Sequence, residues 1–215
     1  MTKALHIQIF VLAFTCFFIS AVAQNKILPG EKYSPPAREL VYVSMGLGFN
    51  YYQKPALGFT LEVISNDTLT VSAGFYSTYL KSLYPVPSDY VAGWFGLSRP
   101  NDYFNSISLA VGRNWRDYQG IFRVRAEAGV AYVSLREVNH YNKKPHSCTS
   151  SNYEVVRKET ETVGVVLGGR FEIPAGTAWG CGFAINVIIS KRMVFSFMFQ
   201  QHIGYVRARK VAFAG

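Results

Sequence analysis

Phe122-Arg123-Val124-Arg125-Ala126-Glu127-Ala128 decides how this chain folds. Side chains on a strand alternate faces with period two. Phe122, Val124, Ala126 and Ala128 therefore point one way, and Arg123, Arg125 and Glu127 the other. A strand with one greasy and one charged face stands between two different media. Seven further stretches carry the same alternation, always with large apolar residues on one face. They begin near Leu40, Ala56, Thr68, Tyr103, the stretch before Ile173, Ala178 and Phe195. On one side lie Val41, Met45, Leu57, Leu61, Val71, Leu109, Val163, Phe183 and Phe197; on the other lie mostly Gly, Ser, Thr and Ala, with a few charges. Eight strands near ten residues long match tilted membrane-crossing strands. The expected architecture is an all-β, eight-stranded antiparallel up-and-down transmembrane β-barrel spanning residues 40–215.

Composition agrees. Of 215 residues 49% are hydrophobic and only 16% charged, against roughly 25% charged in soluble domains. Lys3 and His6 precede an apolar run from Ile7 to Ala21, and Ala21-Val22-Ala23 is a small-x-small cleavage site. Residues 1–23 read as a secretory signal peptide, too short an apolar run for a spanning helix. Residues 24–39, with Pro29, Gly30, Pro35 and Pro36, read as a Pro-rich periplasmic linker. The expected location is the bacterial outer membrane. The formal charge of +9 points to lipid phosphates and anionic saccharides as partners, and export argues against nucleic acid. Cys148 and Cys181 could pair once the signal carrying Cys16 has gone.

Short turns are expected at Ser65-Asn66-Asp67, Asp117-Tyr118-Gln119-Gly120 and Pro174-Ala175-Gly176. Long loops, Tyr84 to Tyr103 and Asn139 to Lys158, fall on the opposite side, an asymmetry of outer-membrane barrels. Trp115, Phe122 and Trp179 mark one girdle; Tyr51, Tyr79, Tyr103 and Tyr132 mark the other. A lipocalin-type barrel would need these large apolar residues inside, where eight strands leave too little room. A soluble two-sheet sandwich could bury them, but its outer face should be dense in Lys and Glu. On this pattern and strand count the chain resembles the small eight-stranded outer-membrane barrels of the OmpA/OmpX type. That resemblance implies a structural anchor, an adhesion or complement-evasion factor or, less often, a lipid-modifying enzyme. Such barrels often end their last strand on an aromatic residue; here Phe213 is followed by Ala214 and Gly215.

Six charges share the inward face: Glu62, Arg123, Arg125, Glu127, Arg170 and Glu172. Charges in a narrow lumen must pair, so a salt-bridge plug is expected and an open pore is not. Lys143, Lys144, Arg157 and Lys158 are candidates to contact lipopolysaccharide phosphates, and the loops could meet a protein or glycan partner. His140, His146 and Cys148 lack a fourth ligand, so no metal is expected; nor is any cofactor. His140, His146, Ser147, Ser150, Asp89 and Asp102 have no spacing motif that would make a nucleophile and base. His202 reads as a lumen residue. The expectation is a monomeric, non-enzymatic surface protein. The alternatives are a lipid-A acyltransferase or deacylase and a soluble periplasmic sandwich.

Overall fold

The computed structural model describes residues 39–65, 68–91, 100–116, 122–145, 151–175, 178–204 and 206. The described residues form one compact unit. The expected signal peptide and all of the linker except Glu39 lie outside the described residues, as does Phe213.

The eight strands are β1 (Leu40–Asn50), β2 (Pro55–Ser65), β3 (Leu69–Lys81), β4 (Asn101–Arg116), β5 (Arg123–Lys143), β6 (Tyr153–Ile173), β7 (Trp179–Ile189) and β8 (Met193–Gly204). Each pairs antiparallel with the next, and β8 pairs with β1, so the sheet is a closed barrel. Closure satisfies the backbone groups that an open edge would expose to lipid. The register fixes the lean of the strands. A path through paired residues runs Val41, Val63, Val71, Val111, Ala128, Leu167, Val187 and Phe195. It returns to β1 at Tyr51, whose N–H donates to the Phe195 carbonyl at 2.9 Å. One circuit thus climbs from position 41 to position 51, a stagger that corresponds to strands tilted about 40° from the axis.

Every residue on that path faces outward. The alternation read from the sequence holds on all eight strands, with the large apolar side chains outside. Leu47 is 68% exposed, Ile107 62% and Leu109 60%. No soluble monomer tolerates a greasy belt on every strand, and a closed ring has no second sheet to cover it. Both soluble alternatives therefore fail: the wall is built to meet hydrocarbon. The girdles fall where expected except at Tyr132. Tyr51, Tyr79 and Tyr103 project outward at the outside ends, with Tyr79 and Tyr103 edge to face at 5.2 Å, and Tyr132 projects outward midway along β5. Phe122 stacks on Phe171 at 5.7 Å at the short-turn end, and Trp179 is exposed at the start of β7.

Two expectations need correcting. The stretch Asn139 to Lys158 is largely not a loop. β5 continues to Lys143 and β6 begins at Tyr153, paired with each other throughout, with a register shift between Val138 and His140. The connection is only 144–152. Above the membrane both faces of a hairpin meet water, so apolar alternation fades while backbone pairing continues. The lumen is also not lined by small residues throughout. Its outer half is an apolar core containing Tyr76, Leu80, Phe104, Val133, Leu135, Ile188, Val194 and Met198. At the periplasmic end a second cluster joins Leu40, Tyr42, Ile64 and Val206.

Leu109 lies near the middle of the β4 belt. Leu109→Lys is expected to cost about 2–4 kcal/mol, the midplane penalty for a cation on a barrel's lipid face. Reversible urea unfolding in lipid vesicles measures it, and unchanged stability would contradict a hydrocarbon-covered wall.

Candidate functional site

The six inward charges do meet. All are buried, and they form an alternating cluster of three arginines and three glutamates drawn from β2, β5 and β6. Arg123 and Glu172 are direct cross-strand partners, joined by Nε at 2.7 Å and Nη2 at 2.5 Å. Arg125 and Arg170 are also direct cross-strand partners, a like-charge pairing that is unfavourable alone. Glu62 resolves it from across the lumen, contacting both Arg125 and Arg170. Glu127 accepts from Arg170 Nη2 at 2.8 Å and Nε at 3.1 Å. Arg125 Nη2 also reaches Glu172. Room for this cluster comes from missing side chains: a Cβ at Gly168 would lie 2.8 Å from Glu127 Cγ and Oε1.

Residues that carry no charge complete the cluster. Tyr42 OH donates to Glu172 at 3.0 Å and accepts from Arg123 Nη2 at 2.9 Å. Ser44 Oγ lies 2.6 Å from Glu62 and 2.7 Å from His202 Nδ1. The Glu62 carboxylate can only accept, so Ser44 donates to it and His202 Nδ1–H donates to Ser44. His202 is then the Nδ1–H tautomer, and its Nε2 has no hydrogen-bond partner among the described residues. Ser44 gives its proton to a carboxylate rather than to the imidazole, and both residues are fully buried. That is a polar core and not an activated nucleophile. His202 is where the sequence put it. Gln200 Oε1 lies 3.5 Å from Arg170 Nη1; Tyr42, Ser44 and Gln200 carry no charge to mark them in the sequence, although their positions on the inward face of β1 and β8 signal the lumen.

Glu62, Glu172 and His202 are close enough to share an ion. The Arg125 guanidinium already occupies both carboxylates, so a metal would have to displace a buried cation from its two counter-charges. The residues do not fit a metal.

The outside end holds a second constellation. Asn152 clasps the β3–β4 loop to the β5–β6 hairpin: its Nδ2 donates to Asp89 O at 2.6 Å and its Oδ1 accepts from Val91 N at 2.7 Å. Asp89 also accepts from Tyr153 OH at 2.7 Å and Lys143 Nζ at 2.9 Å. Tyr84, Tyr90, Tyr141 and Tyr153 make ring contacts of 5.8–6.2 Å around this clasp. Asp102 is buried at the rim, accepting from Arg192 at 2.6 Å and Val138 N at 2.8 Å.

The four basic residues singled out for phosphate contact do not converge. Lys143 is tied to Asp89, and Lys144 lies 3.6 Å from Glu154. Arg157 reaches across β5 to the lipid-facing ring of Tyr103 at 5.0 Å. Lys158, its neighbour on the strand, points to the opposite side and lines a cleft at the rim. Residues on a paired strand alternate faces, which a loop would not require. Of the other candidates, Asp89 and Asp102 are both held in ion pairs. Asn139 Nδ2 lies 3.1 Å from His140 Nδ1. His146, Ser147, Cys148 and Ser150 lie outside the described residues, and Cys181 is a free thiol.

A closed ring of eight antiparallel strands, apolar outside and ionically filled within, has the fold of the small outer-membrane β-barrels. The chain is similar to several solved structures. The N-terminal β-barrel domain of OprF from Pseudomonas aeruginosa matches with a TM-score of 0.50 at 8% identity, over 78% of this chain and 98% of that one. Neisserial surface protein A gives 0.46 at 9% identity, over 81% and 100%. Ail from Yersinia pestis, solved with the heparin analogue sucrose octasulfate, gives 0.44 at 7%, over 78% and 96%. No family model and no curated protein matches the chain.

Removing Arg125 leaves three buried glutamates facing two arginines. Arg125→Met is expected to cost roughly 3–5 kcal/mol. Adding Glu62→Gln restores the balance and should recover part of that loss. Unfolding in vesicles tests this; strictly additive losses would show that the two do not act as a pair. The clasp has its own pH signature. Hydrogen bonds from Tyr153 and then Lys143 hold the Asp89 carboxyl below its ordinary value of 3.8. Its folded-state value is depressed, so its contribution is complete above the ordinary value and lost as pH falls through the lower one. The Tyr153 Cζ chemical shift should move only at pH below the ordinary carboxylate range, and Asp89→Asn should abolish that step. A step centred at or above the ordinary value would mean the clasp does not favour the carboxylate.

Proposed function

We propose that this chain is an outer-membrane protein that acts at the cell surface through its β5–β6 hairpin and the clasped β3–β4 loop, without transport and without catalysis. One observation carries the reading. β5 and β6 are 21 residues each, whereas β1, β2 and β7 are 11. A tilted strand needs about 9–11 residues to cross the hydrocarbon, so about ten residues of each long strand rise above it. Ordered, paired backbone costs conformational entropy, and here it is braced by a loop clasp and four tyrosines. A rigid projection of this kind suits recognition of an external polypeptide or glycan. The ionic cluster and the apolar core above it fill the lumen, which supports a closed barrel. Arg157, over Tyr103 at the upper edge of the belt, is the cation best placed for outer-leaflet phosphates, since Arg136 beside it is paired with Glu159 at 3.1 Å.

Cells displaying the wild type and a variant with residues 139–156 replaced by a short turn, matched for surface level, test this on immobilised glycan and serum-protein arrays. Signals unique to the wild type are expected, with no stepwise current from the purified barrel in planar bilayers and no change in lipid A acyl mass. Equal array profiles would remove the hairpin's role; a current or an altered acyl mass would remove the corresponding exclusion.

A further inference from the structure

We propose that the cleft at the outer rim, between the β3–β4 loop and the irregularity in β5, binds an acidic sugar unit whose carboxylate is taken by Lys158. The cleft measures about 250 Å³ and is lined by Leu83, Tyr84, Pro85, Asp102, Glu137, Val138, Asn139 and Lys158. That volume suits a single sugar ring better than a drug-sized ligand. The inference rests on the reading of this end as the interacting end, and it names the ligand class.

Charge selects the ligand. Lys158 is exposed and pairs in register with Glu137. The Glu137 carboxylate is nevertheless turned to Lys191 at 2.5 Å and Arg192 at 4.0 Å. Among the described residues no carboxylate lies within ion-pair distance of Lys158. The cleft therefore offers one uncompensated ammonium. A phosphate dianion would meet only that single cation, which leaves its second charge without a partner. A carboxylate monoanion balances the charge. An amino acid would bring an ammonium of its own, but both wall carboxylates are already neutralised, Asp102 by Arg192 and Glu137 by Lys191.

The remaining lining suits hydroxyls and a ring face. A carboxylate has about four acceptor sites, so Glu137 can still receive hydroxyl donors while bonded to Lys191. Asn139 supplies an amide beside it. Tyr84 and Pro85 present apolar surface to the C–H face of a pyranose. The register shift between Val138 and His140 sits at the cleft, and such irregularities re-aim side chains beside sites.

Purified protein in detergent micelles, titrated with glucuronate and followed by NMR, tests the assignment. Saturable binding is expected, on the order of millimolar for one sugar ring, with shifts at Tyr84 and Asn139. Lys158→Gln should weaken it at least tenfold and Lys158→Arg should retain it. Glucose, glycine and inorganic phosphate should bind at least tenfold more weakly. Heat-modifiable migration verifies that each variant is folded. Absence of saturation, indifference to Lys158→Gln, or equal binding of phosphate or glycine would each overturn the proposal. Lys158→Gln keeps the hairpin, so a variant that loses glucuronate but keeps array binding separates this site from the wider interaction role. Loss of array binding on trimming, with no glucuronate binding by the wild type, would sink the cleft alone.

Discussion

Arg125 is the pivot of the interior. Its guanidinium is fully buried and touches Glu62 and Glu172, which come from strands on different sides of the lumen. Moving such charges out of water costs several kcal/mol per ion unless counter-charges and hydrogen bonds compensate. Compensation is available only when β2, β5 and β6 are in register around one axis. The cluster therefore specifies which strands face one another across the barrel. It also fills the periplasmic half of the lumen, and the apolar core of Phe104, Leu135 and their neighbours fills the outer half.

The membrane imposes its alternation only where it touches the chain. Within the belt, lipid demands apolar residues on one face and the lumen demands small or paired residues on the other. Above it, Glu159 and Glu161 stand on the same face of β6 as Val163, and Arg136 and Ser134 on the same face of β5 as Tyr132. Order there is held by Asn152, Asp89 and clustered tyrosines rather than by lipid. The change of solvent along one strand pair separates a part made for residence from a part free to serve recognition. The Lys158 cleft lies at that junction.

The barrel was legible because period-two patterning is local. Reading Val41, Val43, Met45, Leu47 and Phe49 needs no knowledge of neighbours, and the same holds on every strand. The hairpin was misread for the same reason: once Arg136, Glu137, His140 and Lys143 appear, the pattern ends although pairing does not. The lumen charges were legible as a set, since each shares its strand's inward face. Tyr42, Ser44 and Gln200 were not picked out, because a neutral polar residue on an inward face gives no sign of what it meets.

By itself the sequence determined the all-β class, the strand count, the direction of nearly every side chain and the need for buried charges to pair. Those properties follow from solvent contrast acting on adjacent residues. Only the tertiary structure decided the partners. Arg125 and Arg170 stand opposite each other in register and are reconciled by Glu62 from the far wall; Arg157 and Lys158, neighbours in the chain, serve opposite sides. Strand stagger and closure set such distances, and both are properties of the whole ring rather than of any one stretch of chain.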